Sequence, residues 1–169
     1  MTIVYVPGDS AARSIGADEV AALIAAHAAK AGIDIDLRRN GSRGALWLET
    51  LVEVDNGDGR FAYGPVTPAD VDSLFAQNFL HAGAHPLSLG KTESIEWLAT
   101  QDRVTFSRVG IIEPLSLSPY EAHGGLAGLR TALTHTDVVG EVLASGLRGR
   151  GGAGFPAGIK WRTVLEAVG

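Results

Sequence analysis

The residues best suited to chemistry lie close together near the end of the chain: Gly146-Leu147-Arg148-Gly149-Arg150-Gly151-Gly152-Ala153-Gly154-Phe155-Pro156-Ala157-Gly158-Ile159-Lys160-Trp161. Glycines at this spacing let the backbone come close to a ligand and turn its amides toward it. Consecutive amides of that kind form a nest for anionic oxygens. Pro156 can open the helix that follows, and a helix N-terminus adds partial positive charge toward a phosphate. From Gly146 to Thr163 there are four basic residues, Arg148, Arg150, Lys160 and Arg162, and no acid. Phe155 adds a flat apolar face suited to stacking on an aromatic ring system. Together these residues suit a phosphorylated aromatic ligand.

Two familiar phosphate motifs fit less well. Gly149-x-Gly151-x-x-Gly154 matches the dinucleotide fingerprint, but Leu147-Arg148 is a poor strand, and no acidic residue follows about 20 positions later before the sequence stops. Gly90-Lys91-Thr92 has the ending of a P-loop, yet His85 stands where its first glycine belongs. The competing structural reading is a flexible hinge. Linkers are Ser/Gly-rich and uncharged, whereas this run contains Phe155, Pro156, Trp161 and its arginines.

Other candidates are weaker. His81 and His85 have helical i, i+4 spacing, but Gly83 and Pro86 argue against a helix and hence against a zinc site. Glu53, Asp55 and Asp58 surround a turn and read as solvated carboxylates rather than a catalytic set. The Ser42-Arg43 loop reads as shape-keeping, with contact to an anion or partner as the alternative. Trp47, Trp97 and Trp161 read as packing residues.

The whole chain must hold that loop in place. Its 169 residues are 46% hydrophobic and 20% charged, which is a globular composition. The formal net charge of -5 argues against general nucleic-acid binding. With no cysteine, the chain can neither form a disulfide nor supply thiolates to an iron–sulfur cluster. No apolar run approaches the roughly 18 residues of a membrane span, and no secretory pattern follows Met1. A soluble cytoplasmic protein is expected.

Along the chain, Ile3–Val6 reads as a buried strand and Asp18–Ala31 as a helix closed by Gly32. Ile33, Ile35 and Leu37 alternate with charged residues as in a half-buried strand. Leu51–Asp55 and Arg60–Tyr63 flank Asn56-Gly57-Asp58-Gly59, a hairpin turn. Thr67-Pro68-Ala69-Asp70 starts a further helix. That order suits a thioredoxin-like α/β fold over residues 1–80. Phe79–Lys91 reads as loop-rich and marks the domain boundary, with a linker over 81–108. Val104–Phe106 and Val109–Ile112 read as extended pieces, and Ser118-Pro119-Tyr120-Glu121 repeats the capping pattern. Helices are expected at Leu126–Leu133 and Asp137–Leu143, in a second α/β domain over 109–169.

The Gly146–Trp161 run closely resembles the FMN-binding loop of NADH-oxidising flavoprotein subunits, whose pattern is roughly GLRGRGGAGFPTGLKW. Within it, Ala157 replaces Thr and Ile159 conservatively replaces Leu. That family includes the flavoprotein subunit of respiratory complex I, diaphorase subunits of NAD-linked hydrogenases, and beta subunits of NAD-dependent molybdenum formate dehydrogenases. Gly110–Gly125 is similar to the family's approach to a two-helix segment. The first 80 or so residues resemble the thioredoxin-like extension of the formate dehydrogenase beta subunit, here without the cysteines that hold a [2Fe–2S] cluster in several relatives.

The resemblance implies an α/β chain that carries a thioredoxin-like domain and then the start of an FMN-binding domain. It implies FMN and NAD(H) as cofactors. The amides around Gly149, Gly151, Gly152, Ala153 and Gly154, with Arg150, would line the FMN phosphate and ribityl region. Lys160 would reach the same end, and Phe155 would stack on the NADH adenine. A [4Fe–4S] cluster is expected only in a further C-terminal part, so the 169 residues read as the front portion of a longer chain. The partners implied are a thioredoxin-like [2Fe–2S] gamma subunit and a molybdenum/iron–sulfur alpha subunit, with no nucleic acid. A hydrogenase diaphorase and a non-catalytic docking module remain as alternatives.

Overall fold

A computed structural model describes residues 1–167 and divides into two compact units, Met1–His123 and Gly124 onward. Val168 and Gly169, the last residues of the expected second domain, lie outside the described residues.

The first unit is built on a five-stranded sheet. Its strands are β1 (Thr2–Tyr5), β2 (Ile35–Arg38), β3 (Val52–Asp55), β4 (Arg60–Tyr63) and β5 (Ser88–Lys91), in the order β2-β1-β3-β4-β5. β1 and β2 are parallel, and every other neighbouring pair is antiparallel. Two helices separate β1 from β2: α1 (Ser10–Ser14), capped by Asp9 Oδ1 accepting from the Ala11 and Ala12 amides, and α2 (Ala17–Ala31). α2 ends at Gly32, whose φ of 66° is the left-handed cap that glycine adopts without penalty. After the β3–β4 hairpin, Thr67 and Asp70 close a capping box ahead of α3 (Val71–Ala76). A parallel βαβ unit followed by an antiparallel ββα unit is the thioredoxin-like arrangement expected from the element order.

β5 was not legible. Its sequence, Ser88-Leu89-Gly90-Lys91, has neither alternation nor β-branched residues, and Gly90 sits at φ 75°. The strand extends the sheet beyond residue 80 into the span that composition marks as loop. Val104–Phe106 and Val109–Ile112 form turns rather than extended pieces, with the Val109 amide bonded to Phe106 O at 3.0 Å. α4 (Glu96–Ala99) and α5 (Leu117–Ala122) complete the unit. α5 begins after Ser116, which makes no side-chain cap, so Ser118 lies inside the helix rather than capping it.

One face of the sheet carries the hydrophobic core. Val4, Val6, Val52, Val54 and Tyr63 meet Val20, Ala21 and Ile24 of α2 and Leu74 of α3. At helical spacing, α2 turns Val20, Ile24 and Ala28 inward. Each Val or Ile fully buried this way contributes about 1.5–3 kcal/mol.

The opposite face is polar, and there the carboxylate reading fails. Glu53 is 0% exposed rather than a solvated turn residue. Its Oε1 accepts from Arg43 Nη2 at 2.7 Å; its Oε2 accepts from Arg43 Nε at 3.3 Å and Asn40 Nδ2 at 3.1 Å, with Arg60 Nη1 at 3.4 Å. Arg43 spans from there to Glu93 at 2.8 Å. Arg60 also donates to the carbonyls of Gly110 (2.9 Å) and Ile111 (2.6 Å), and its guanidinium lies 3.6 Å from the Tyr5 ring centroid. The network fastens the 110–111 turn onto the back of the sheet. The Ser42-Arg43 loop is thus a shape-keeping element, because Arg43 neutralises a buried charge.

Two measurements check this account. Arg43→Met leaves the Glu53 carboxylate buried with weaker compensation and should lower stability in urea unfolding by about 3–5 kcal/mol; a loss under about 1 kcal/mol, typical of an exposed pair, would contradict the network. Glu49 supplies a pH test. Burial raises its carboxyl pKa, opposed by the Ser42 hydroxyl and the Leu51 amide that bond it. A carboxyl whose folded pKa is raised is stabilising while protonated, and that contribution is lost as pH rises through the folded value. Relative to Glu49→Gln, the native chain should therefore lose stability as pH is raised from below the ordinary glutamate range to neutrality. An unchanged difference across that window would refute the assignment.

Candidate functional site

The Gly-rich run lies in the second unit, between two helices that lock together. α6 (Ala127–Thr134) precedes α7 (Val138–Ala144), which Asp137 caps by accepting the Gly140 amide at 2.8 Å. α8 (Ala157–Ala167) follows the run directly. α7 and α8 approach closely at Gly158, where a Cβ would lie 2.7 Å from Leu143 N. Only glycine permits that crossing, so Gly158 serves packing rather than a ligand.

Residues 147–157 form a tight hairpin whose two ends are clamped at α7 and α8. The Ala157 amide donates to Leu147 O and the Gly149 amide to Phe155 O, both at 2.8 Å, and Arg148 bridges Pro156 in antiparallel fashion. Gly154 turns the tip at φ 52° and donates to Gly151 O at 3.1 Å. Helix α8 starts immediately after Pro156, so its positive end lies at the hairpin base.

At the tip, the amides of Arg150, Gly151, Gly152 and Ala153 donate to no acceptor among the described residues, and all four residues are exposed. Gly151 and Gly152 are informative for a second reason. A Cβ built on either meets nothing within 4 Å, and neither has a backbone in the left-handed region. Neither internal packing nor local conformation calls for glycine there.

The other site residues fall into distinct roles. Lys160 Nζ stands 5.6 Å from the Phe155 ring centroid, so the residue expected at the FMN phosphate or ribityl end lies beside the one expected to stack on the NADH adenine. Phe155 remains 45% exposed. Arg150 and Arg162 are exposed and form no ion pair among the described residues. Arg148 is different: its Nε donates to Gly154 O at 2.6 Å, across the hairpin. In the sequence Arg148 is one more positive charge; its spacing to Gly154 gives no sign of this bond.

Elsewhere, His85 is held inside its own unit, its Nδ1 accepting the Leu87 amide at 3.1 Å and its Nε2 3.0 Å from Ser73 Oγ. Among the described residues no cluster of His, Asp and Glu is placed to hold a metal, and no helix is long and apolar enough to cross a membrane. Trp47 and Trp97 pack edge to face at 5.3 Å yet are each about half exposed, at 58% and 49%. Trp97, with Leu46 and Phe106, walls a mainly apolar groove of about 400 Å³ in the first unit rather than joining a closed core.

No family model matches the chain. A thioredoxin-like [2Fe–2S] ferredoxin from Aquifex aeolicus overlays 54% of the chain and 93% of its own length, at a TM-score of 0.45 and 21% identity. Curated relatives match by sequence. The HndC subunit of the NADP-reducing hydrogenase of Solidesulfovibrio fructosivorans is 51% identical over 67 residues, 38% of this chain. An NADH-quinone oxidoreductase subunit of Rhizobium meliloti is 55% identical over 56 residues, and the mitochondrial NADH-ubiquinone oxidoreductase 51 kDa subunit of Neurospora crassa is 74% identical over 27. The chain spans only 14%, 13% and 6% of the lengths of these three relatives. Over about two fifths of its length, therefore, the chain is similar to subunits of NADH-quinone oxidoreductases and of an NADP-reducing hydrogenase.

Proposed function

We propose that the chain contributes the phosphate-cradling loop of the FMN- and NAD(H)-binding subunit of a cytoplasmic NAD-dependent formate dehydrogenase. The observation that carries this reading is the hairpin tip: four exposed amides without acceptors, two glycines that the fold itself does not require, and a surrounding set of cations. These residues fit a phosphate monoester. The amides of Gly151, Gly152 and Ala153 would take its oxygens, Arg150 would supply long-range attraction, and Gly149 and Gly154 would hold the hairpin's shape. Lys160, standing over Phe155, would meet the anionic end while the ring presents its open face to an aromatic base. FMN, when bound, exchanges electron pairs with NAD(H) and single electrons with iron–sulfur clusters. The chain's own part is to fix the flavin tail, so that the ring system is presented in one orientation.

Formate as the ultimate donor rests on the cysteine-free thioredoxin-like front part, the feature shared with formate dehydrogenase beta subunits. In this reading a thioredoxin-like [2Fe–2S] gamma subunit and a molybdenum/iron–sulfur alpha subunit deliver the electrons, and a [4Fe–4S] cluster belongs to a further part of the subunit. The proposed division is a thioredoxin-like domain over 1–80 and the start of the flavin domain from 109, with the intervening 81–108 span lending β5 to the sheet rather than serving as a plain linker. A second reading, a hydrogenase diaphorase subunit, is favoured by the 51% identity to an NADP-reducing hydrogenase subunit.

A nitrogen-15 NMR titration distinguishes phosphate recognition from general flavin stickiness. FMN should shift the Gly151, Gly152 and Ala153 amides, and riboflavin, which lacks the phosphate, should leave them in place. Equal shifts with both ligands would overturn the reading. Gly151→Ala and Gly152→Ala should melt at the native temperature or slightly above, because their unfolded chains are stiffer by about 0.4–1 kcal/mol. The same substitutions should weaken the FMN response at least several-fold.

A further inference from the structure

We propose that Arg148 is the positioning residue of the loop: its Nε–H···O=C bond to Gly154 holds the hairpin tip in the shape that aims the free amides, and this bond, rather than its charge, is its main contribution. The inference rests on the phosphate-loop reading above and goes further by separating the loop's arginines into different jobs.

The hairpin has few internal ties. Below the tip, among the described residues, only the Gly149–Phe155 and Ala157–Leu147 backbone bonds join its two arms, and within the tip only Gly154 N–H to Gly151 O. Arg150 to Ala153 are exposed, and a Cβ built at Gly151 or Gly152 would meet nothing within 4 Å. A turn held so loosely samples many amide orientations, and ordering it on binding would cost conformational entropy. Arg148 adds the missing tie. It stands on the ascending arm, and its side chain crosses to the carbonyl of Gly154 on the descending arm at 2.6 Å. That distance is short even for a hydrogen bond from a charged donor. Gly154 is also the residue whose backbone, at φ 52°, reverses the chain. The bond therefore grips the tip at its pivot.

Arg148 and Arg150 thus differ although only one residue separates them. Arg150 makes no hydrogen bond or ion pair among the described residues and is free to meet a ligand. Arg148 spends its Nε on the protein. Its two Nη groups stay available, so it can still add a positive field beside the nest while it fixes the nest's geometry.

Two substitutions separate the bond from the charge. In Gln, the side-chain Nε2 stands at the same number of bonds from the backbone as the Arg Nε, so Arg148→Gln keeps a donor for Gly154 O and loses the charge. In Lys, that position is a carbon and the ammonium lies one atom further out, so Arg148→Lys keeps the charge and moves the donor away from the Nε position. Hydrogen exchange of the ligand-free chain reads the latch directly. Arg148→Lys should raise exchange at Gly149 and Gly154 roughly tenfold, and Arg148→Gln should leave it near native, as expected for loss or retention of one charge-assisted bond. In the FMN titration, Arg148→Gln should shift the same tip amides as the native chain, with affinity down a few-fold, whereas Arg148→Lys should lose most of the response. The reverse order, with Lys behaving as native and Gln losing the response, would overturn the positioning role and make Arg148 a plain charge. Absence of any FMN response in the native chain would remove the functional reading, and with it the purpose given to the latch. Native-like exchange in Arg148→Met, which keeps neither donor nor charge, would remove the latch itself.

Discussion

A carboxylate with no access to water has to be matched inside the protein, and Glu53 imposes that demand on the first unit. It sits on β3, the middle strand of the sheet, facing away from the hydrophobic core. Arg43, Asn40 and Arg60 converge on it from the 39–44 loop and from β4. Once there, Arg43 goes on to Glu93, and Arg60 and Asn40 go on to the 110–111 carbonyls. Segments far apart in sequence are thereby tied to one buried charge. Such pairs are costly to break because the remaining partner stays buried. The face of the sheet that carries no apolar core is thus organised by hydrogen bonds.

The second unit solves the opposite problem in the opposite way. Its helices lock at Gly158 and its hairpin is clamped at the base, but the tip amides are left without acceptors and without a protein wall around them, among the described residues. Water satisfies such groups at the surface, so they cost little as they stand. In the function proposed above, amides left bare in this way would be open to an anion. Glu53 is a polar group that holds the fold, whereas the tip amides are polar groups the fold itself leaves unused among the described residues.

The sequence was most legible where a local rule acts alone. The α2 helix with its Gly32 cap, the β3–β4 hairpin and the capping box at Thr67 follow from spacing and turn chemistry over a few residues. The Gly-rich loop was legible because its composition departs so far from the rest of the chain. β5 was missed because a short edge strand with a glycine has no periodicity to detect. Glu53 was misread because a charged residue near a turn is usually solvated, and only the long-range arrival of Arg43 and Arg60 satisfies it when buried. The Arg148–Gly154 bond was missed for the same reason, since it depends on how the hairpin closes.

The central claim is that bare amides at Gly151, Gly152 and Ala153 hold the phosphate of a flavin mononucleotide. A structure of the chain, or of the longer subunit containing it, solved with FMN bound tests this most directly. The account predicts phosphate oxygens about 2.7–3.2 Å from those nitrogens, within ordinary hydrogen-bond range. An ordered flavin whose phosphate lies elsewhere, with the hairpin tip still turned to solvent, would contradict it.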